Sequence, residues 1–424
     1  MNRFYYSVLL TLILPLVPIK LLWRGIKQPV YSRHWPERFG FYKIKVNKSV
    51  IWLHCVSVGE TRAAEPLVKA LQNTYPNYQI LLTHGTPTGR EASEALFGSS
   101  IERVYLPYDV PFAVHKFLSH FQPKIGIILE TELWFNLIAS CKQREIPVLL
   151  LSARLSEKSA NGYAKLGKLA REGLQNLSAV AAQTNDDAAR LQNLGATNIS
   201  VAGNLKFDVK PPQSLIEQGL QLRKTFGERP VFLAASTRDG EEALILDALA
   251  KINIPNLLTI IVPRHPQRFD AVAKLLEQRG IKYLRKSSLD NEAFQVNTHA
   301  GSSLIILGDS MGEMPLYYAA CDVAFIGGSL LNFGGQNLIE AAHVGKPVLI
   351  GEHTFNFAEA SKDAVVAGAA VRVKDADDLI QHVDALLKNP VKLKSMQQAA
   401  LQFSAAYSGA TTRLMALIAH HLRA

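Results

Sequence analysis

Cysteine is scarce in this 424-residue chain: three residues, Cys55, Cys141 and Cys321, stand far apart with no paired or metal-ligand spacing. That excludes a disulfide framework and points to a reduced, cytosolic compartment. Glycine and proline, at 27 and 20 residues, are too few for a low-complexity chain, and 48% hydrophobic content excludes a disordered one. Acid is nearly missing from residues 1–48, where nine Lys or Arg face Glu37 alone, although the whole chain carries a formal charge of only +10. A nucleic-acid protein would spread its basic residues over the folded body, so no nucleic-acid partner is expected. No small-residue cleavage site follows the first apolar run, and the stronger positive charge comes after that run, which counts against a secretory signal. There is no fixed-period repeat, and no ligand cluster with the spacing of a metal site.

Residues 4–19 contain no charge, are bounded by Lys20 and Arg24, and are accompanied by Tyr5, Tyr6 and Trp23. Basic and aromatic flanks of this kind mark a membrane anchor over residues 1–27, with an anionic membrane surface as partner and the body on the cytoplasmic side. Pro15 and Pro18 make the run marginal for a span, so it either crosses the bilayer or lies shallowly in the interface. Because the segment precedes the first strand, it is expected to contribute to neither core.

The remaining length suffices for two cores. Apolar, β-branched runs at 50–56, 78–83, 124–129, 148–151, 179–183 and 199–202 alternate with helical segments, which predicts a parallel, doubly wound sheet. Lys210-Pro211-Pro212 interrupts the series and divides a first domain, 28–209, from a second, 210–424. Strands at 231–235, 257–262, 303–307, 323–326, 347–350 and 370–373 build the second sheet. The helical stretch 390–424 closes that domain or crosses back to the first. The fold class is α/β, with two Rossmann-like domains facing a cleft, the architecture of the GT-B glycosyltransferases.

Ligands in such sheets bind beyond the carboxyl ends of the strands, and polar residues collect there. Residues 322–357 read as strand, glycine loop, helix and strand. Gly327, Gly328, Gly334 and Gly335 allow close approach of a ligand, Asn337 caps a helix over 337–344, and Glu340 can accept from ribose hydroxyls. The same pattern could be a tight packing corner. Arg264 and the loop 308–313 face this nucleotide grip. On the first rim, Glu60 is either a general base or a first-turn acid satisfying the helix dipole. Glu130 ends an apolar strand and could pair with Lys206, orient an acceptor, or stabilise charge on a sugar. Lys206 could neutralise an acidic donor or be a surface lysine. Asp375, Asp377 and Asp378 resemble a metal-binding group, but they also open a helix, and capping is the simpler use.

Several ordered motifs carry a resemblance. His54-Cys55-Val56-Ser57-Val58-Gly59-Glu60, Thr86-Pro87-Thr88-Gly89, Glu130-Thr131-Glu132-Leu133-Trp134, Ser152-Ala153-Arg154-Leu155-Ser156, Gly203-Asn204-Leu205-Lys206-Phe207-Asp208, Val262-Pro263-Arg264-His265-Pro266, Gly308-Asp309-Ser310-Met311-Gly312-Glu313 and His353-Thr354-Phe355-Asn356-Phe357 together resemble the 3-deoxy-D-manno-octulosonic acid (Kdo) transferases of Gram-negative bacteria. The resemblance implies a GT-B enzyme at the inner membrane that moves Kdo from CMP-Kdo to a lipid A precursor, lipid IVA, with inversion and without a metal or cofactor. It implies Glu60 as base, Glu130 and Lys206 as transition-state stabilisers, and Pro263, Arg264, Met311, Gly312, Glu313, Asn337, Leu338, Ile339 and Glu340 as the CMP site. Two positions depart from the family pattern: Gln336 stands where histidine is usual, and Glu352 where proline is usual. The rival readings are a GT-B-like sugar-nucleotide epimerase and a membrane-tethered nucleotide-sugar binding protein without catalysis.

Overall fold

The computed structural model describes residues 2–27, 31, 33–252, 254–288 and 304–422. Met1–Val209 with Tyr407–Ala424 forms one compact unit, and Lys210–Ala406 forms a second.

The first unit carries β1 (Ser49–Cys55), β2 (Tyr78–His84), β3 (Glu102–Tyr105), β4 (Ile125–Leu129), β5 (Val148–Ala153), β6 (Ala179–Ala182) and β7 (Ile199–Val201). They pair in parallel in the order β3-β2-β1-β4-β5-β6-β7. The order reverses between β1 and β4, which makes the gap beyond their carboxyl ends the topological switch point. Helices cover both faces of a parallel sheet, so its central strands are apolar throughout rather than alternating. In β1, Val50 and Trp52 pack with Phe117 and Phe121 on one face, while Ile51, Leu53 and Cys55 pack with Leu67 and Leu71 on the other. Two strands were not expected from the sequence, and both are sheet edges. Glu102-Arg103-Val104-Tyr105 buries only its last two residues, so it lacks the apolar run that marks its neighbours.

The second unit carries β8 (Val231–Thr237), β9 (Leu258–Pro263), β10 (Tyr283–Arg285), β11 (Leu304–Leu307), β12 (Val323–Ile326), β13 (Val348–Ile350) and β14 (Ala370–Arg372). Their order is β10-β11-β9-β8-β12-β13-β14, with the switch point between β8 and β12. The other unexpected edge strand is β10, only three residues long and half-buried. Ser303, placed in a strand by the sequence pattern, lies outside the described residues.

Of the two courses expected for the C-terminal stretch, its last helix takes the one back to the first unit. The helical stretch breaks at Ser408-Gly409, where Gly409 has φ +95, into Pro390–Tyr407 and Ala410–Leu422. Leu414 and Ile418 of the last helix are fully buried in the first unit's core. Burying two such side chains contributes about 1.5–3 kcal/mol each.

The apolar N-terminus forms a helix over Arg3–Ile26, among the described residues the one helix long and apolar enough to cross a membrane. Pro15 lacks an N–H, and the helix tightens to a 3-10 turn over Leu14–Leu16. The expectation that this segment touches neither core is corrected. Tyr6 packs against the first unit's core and stacks edge-on against Phe135 at 5.3 Å, its hydroxyl donates to Asp109 Oδ2 at 2.9 Å, and Ser7 Oγ donates to Asn136 Oδ1 at 2.8 Å.

Candidate functional site

At the first switch point the chain leaves β1 into a short helix, Val58–Ala63. Ser57 caps it, and Ser57 and Glu60 close the first turn much as a capping box does, except that Glu60 reaches the N–H of Val56 rather than that of the cap residue. Glu60 N–H donates to Ser57 Oγ at 3.3 Å, Ser57 Oγ–H donates to Glu60 Oε1 at 2.8 Å, and Val56 N–H donates to Glu60 Oε2 at 2.7 Å. Glu60 is buried, at 9% exposure. Burial is the largest influence on its carboxyl and pushes the pKa up; the hydrogen bonds from Val56 and Ser57 pull it down, and the nearby Glu130 charge adds to the rise. The first-turn reading of Glu60 is what the geometry shows, and the same hydrogen bonds fix the carboxylate's direction.

Glu130 follows β4, across the switch point from Glu60. Its backbone has φ +56, a left-handed conformation that costs a non-glycine residue roughly 1–2 kcal/mol. The turn aims its half-buried carboxylate at Lys206, whose Nζ donates to Oε1 at 2.8 Å. Lys206 stands in a 3-10 turn, Leu205–Phe207, capped by Asn204.

A network that sequence reading missed holds this pair in place. Ser152, inside the register shift of β5 between Leu150 and Ala153, also has a positive φ, +51. The buried Gln183 donates through Nε2 to the Ser152 carbonyl at 2.9 Å, and its Oε1 accepts from Asn204 Nδ2 at 2.9 Å. Asn204 Oδ1 in turn accepts from Lys206 N–H at 2.9 Å. The strand tip, Gln183 and the lysine turn are thus one hydrogen-bonded chain. His54, counted with the rim in sequence, lies inside β1 and is fully buried, its Nε2 3.6 Å from Glu132 Oε2.

In the second unit, Gly327 and Gly328 follow β12 and Arg238 follows β8, on either side of the switch point. Glu241 is fully buried beneath them and accepts from the backbone N–H groups of Arg238 at 2.8 Å, Gly328 at 2.6 Å and Leu330 at 3.0 Å. One carboxylate thereby ties both loops together. Pro263 ends β9, and Arg264 is exposed beyond it, with Nε donating to Gln336 Oε1 at 3.2 Å. Gln336 thus meets the arginine as a neutral acceptor.

The helix expected over 337–344 is shorter, Ile339–His343. Asn337 precedes it and accepts from Ile339 N–H at 3.0 Å, while its Nδ2 donates to Glu340 Oε1 at 3.2 Å. Burial raises the Glu340 pKa, and the Asn337 hydrogen bond and the Arg264 charge lower it. Leu338 and Ile339 are buried. Gly334, at φ +87, leaves room for Phe355: a Cβ there would stand 2.4 Å from its ring. In the loop after β11, Met311 and Gly312 are exposed, and Glu313 accepts from Ser310 Oγ, which also meets Tyr317 Oη at 3.0 Å. Glu352 is exposed, and its carbonyl accepts from Arg372. Asp375 caps the helix Ala376–Leu387 by accepting from Asp378 N–H, so those acids serve the helix end.

Residues 33–209 match the family described as 3-Deoxy-D-manno-octulosonic-acid transferase (kdotransferase), and residues 286–403 match glycosyl transferases group 1. The 3-deoxy-D-manno-octulosonic acid transferase of Bordetella pertussis is 41% identical, over 98% of this chain and 98% of its own length. That of Haemophilus influenzae is 39% identical, over 100% of this chain and 99% of its own. Among solved structures, a glycosyltransferase from Rickettsia africae is similar with a TM-score of 0.59 at 15% identity, over 89% of this chain and 99% of that one, a likeness of fold. With both sheets doubly wound and relatives matched end to end, this chain belongs to the 3-deoxy-D-manno-octulosonic acid (Kdo) transferases, glycosyltransferase enzymes of GT-B fold.

Proposed function

We infer that the enzyme transfers Kdo from CMP-Kdo to a lipid A precursor, lipid IVA, with inversion and without a metal or cofactor. The full-length likeness to Kdo transferases carries the reading. The chemistry is a single displacement. An acceptor hydroxyl attacks the anomeric carbon as its bond to the CMP phosphate breaks, CMP leaves with the electron pair, and the hydroxyl proton passes to Glu60. An alcohol is a weak nucleophile while its proton remains, and a positioned carboxylate of raised pKa suits that transfer.

Glu130 meets positive charge developing on the sugar. Lys206 and Arg264 offset the negative charge of the donor and leaving group, the task a metal ion performs in other transferases. Pro263, Arg264, Met311, Gly312, Glu313, Asn337, Leu338, Ile339 and Glu340 form the CMP site in this reading. The apolar helix and basic flank hold the enzyme on the cytoplasmic face of the inner membrane. Docking of Tyr6 and Ser7 on the first unit supports a helix lying in the interface, with Phe4, Leu12, Leu16 and Ile19 exposed to lipid.

The test is purified protein with CMP-Kdo and an underacylated lipid A precursor in EDTA, with product masses and anomeric configuration measured. The expected result is lipid carrying Kdo of inverted configuration. Donor hydrolysis without lipid product would overturn the acceptor, and a requirement for magnesium would overturn metal independence.

A further inference from the structure

We propose that Arg238 reads the carboxylate of the donor sugar, so that Arg238 and Arg264 form a seat for two anions at the second switch point. The inference rests on the donor reading above. It begins from position. Arg238 leaves the tip of β8 directly beside Gly327 and Gly328 at the tip of β12, since Ala235 pairs with Ile326. The register of β8 shifts between Ala235 and Thr237, and Ser236 takes φ +56. A bulge with a left-handed residue is a device for re-aiming the side chain that follows.

The second observation is charge. Among the described residues Arg238 and Arg264 form no ion pair with a carboxylate, whereas Arg268, on the same rim, is paired with Glu242 at 2.7 Å and with Asp239. Arg238 is held instead by neutral partners. Its Nη1 meets His265 Nε2 at 3.2 Å, and its guanidinium lies 4.7 Å over the Phe333 ring. Desolvation and the charges of Arg238, Arg264 and Arg268 hold the His265 pKa below its ordinary value, so the imidazole accepts from Arg238 and adds no charge. Neither guanidinium is neutralised by a carboxylate in direct contact, although the Arg264 charge also acts on Glu340, and two such groups on one rim make an anion-binding field.

Space between them is preserved by Gly328, which has φ +71. A Cβ there would stand 3.3 Å from Arg238 Cγ, 3.4 Å from Gln336 Nε2 and 3.5 Å from Phe333 Cβ. Gln336 spans from this floor to Arg264. Donor chemistry fits the pair. In a nucleotide of an ulosonic acid, the phosphate oxygen and the carboxylate sit on one anomeric carbon, so two anions must be received side by side. A neutral sugar nucleotide brings only the phosphate. Arg264 takes the phosphate, and Arg238 distinguishes an acidic sugar from a neutral one.

The experiment uses the full chain and compares Arg238→Gln, Arg238→Lys and Arg264→Gln with wild type for the KM of CMP-Kdo and the Kd of CMP. One charge-assisted contact corresponds to about a 10- to 100-fold effect. Arg238→Gln should raise the KM of CMP-Kdo by that factor with CMP affinity within two-fold, Arg238→Lys should recover part of the loss, and Arg264→Gln should weaken both ligands. Unchanged KM and kcat in Arg238→Gln would overturn the proposal, as would equal losses for CMP and CMP-Kdo, which would make Arg238 a phosphate ligand. A wild-type enzyme that neither binds nor turns over CMP-Kdo would overturn the donor reading itself, and this seat with it.

Discussion

Lys206 Nζ donates to Glu130 Oε1 at 2.8 Å from a residue whose partner stands at φ +56. A left-handed glutamate is an expensive way to make a half-exposed ion pair, because such pairs contribute only about 0–1 kcal/mol. The conformation costs more than the pair returns, so placement of charge and stability can be tested apart.

Glu130→Gly separates the two. Glycine relieves the strained φ and deletes the carboxylate, so stability should stay within about 1 kcal/mol of wild type. Transfer should fall by roughly 10²–10³-fold, the usual cost of removing a preorganised electrostatic group. Thermal melts and steady-state rates measure both, and retained turnover would reduce the ion pair to a fastening of the loop.

In the proposed mechanism Glu60 sets the pH dependence. Burial raises its pKa, so the ionised base disappears as pH falls through a window above the ordinary carboxylate range, and kcat/KM should decline there. The same shift means that the folded state binds this proton more tightly than the unfolded chain. Stability drawn from Glu60 is thus present at low pH and lost as pH rises through that window. Glu60→Gln should abolish the acidic limb and lower turnover by ~10²–10⁴-fold with CMP affinity little changed. It should also cost about 1–3 kcal/mol of stability, because the amide cannot accept from both Val56 and Ser57. Near-normal turnover with an unaltered pH profile would leave Glu60 as a helix cap alone.

Much of this was legible in the primary structure, and the reasons for the rest are physical. Central strands such as Ile125–Leu129 are apolar on both faces and declare themselves, whereas the edges Glu102–Tyr105 and Tyr283–Arg285 are short and half-exposed. Glu60, Glu130 and Lys206 stood out as polar residues at strand ends. The Ser57-x-x-Glu60 spacing could also have signalled the cap that Ser57 makes. Gln183 was hidden because it continues the apolar run of Ala179–Ala182, and its partners Ser152 and Asn204 are 31 and 21 residues away. Arg238 was hidden because nothing in sequence tells a guanidinium held on a ring and a neutral histidine from one paired with an acid.

Gln183→Leu tests the network under Lys206. The substitution keeps the volume but leaves the Ser152 carbonyl and Asn204 amide without their partner. A displacement of the lysine turn of about 1 Å can cost up to 10²-fold in kcat. The expected signature is a fall in kcat with CMP affinity unchanged, and a partial recovery in Gln183→Asn. Loss of stability with kcat intact would assign Gln183 to folding only.

The contact between Tyr6 and Asp109 concerns the apolar helix and contradicts the idea that this helix is a detachable tether. Asp109 is buried at 3% exposure and also accepts from Asn136 N–H at 3.0 Å and Leu137 N–H at 2.9 Å. Burial pushes its pKa up to about 6, against the pull of those two hydrogen bonds and of Tyr6. Because the folded state holds this proton more tightly, the stability linked to Asp109 is fully present below the ordinary aspartate range and is lost as pH rises to about 6. Above that pH the ionised carboxylate depends on its donors, and a hydrogen bond to a charged group contributes about 1.5–3 kcal/mol against 0.5–1.5 for a neutral pair. Tyr6→Phe keeps the ring on Phe135 and deletes only the hydroxyl. Its penalty in thermal melts should therefore be larger at pH 7.5 than at pH 4.5, and removal of residues 1–27 should lower the melting temperature at least as much as Tyr6→Phe. Equal melting temperatures for wild type and Tyr6→Phe at both pH values would show that the helix is a tether after all.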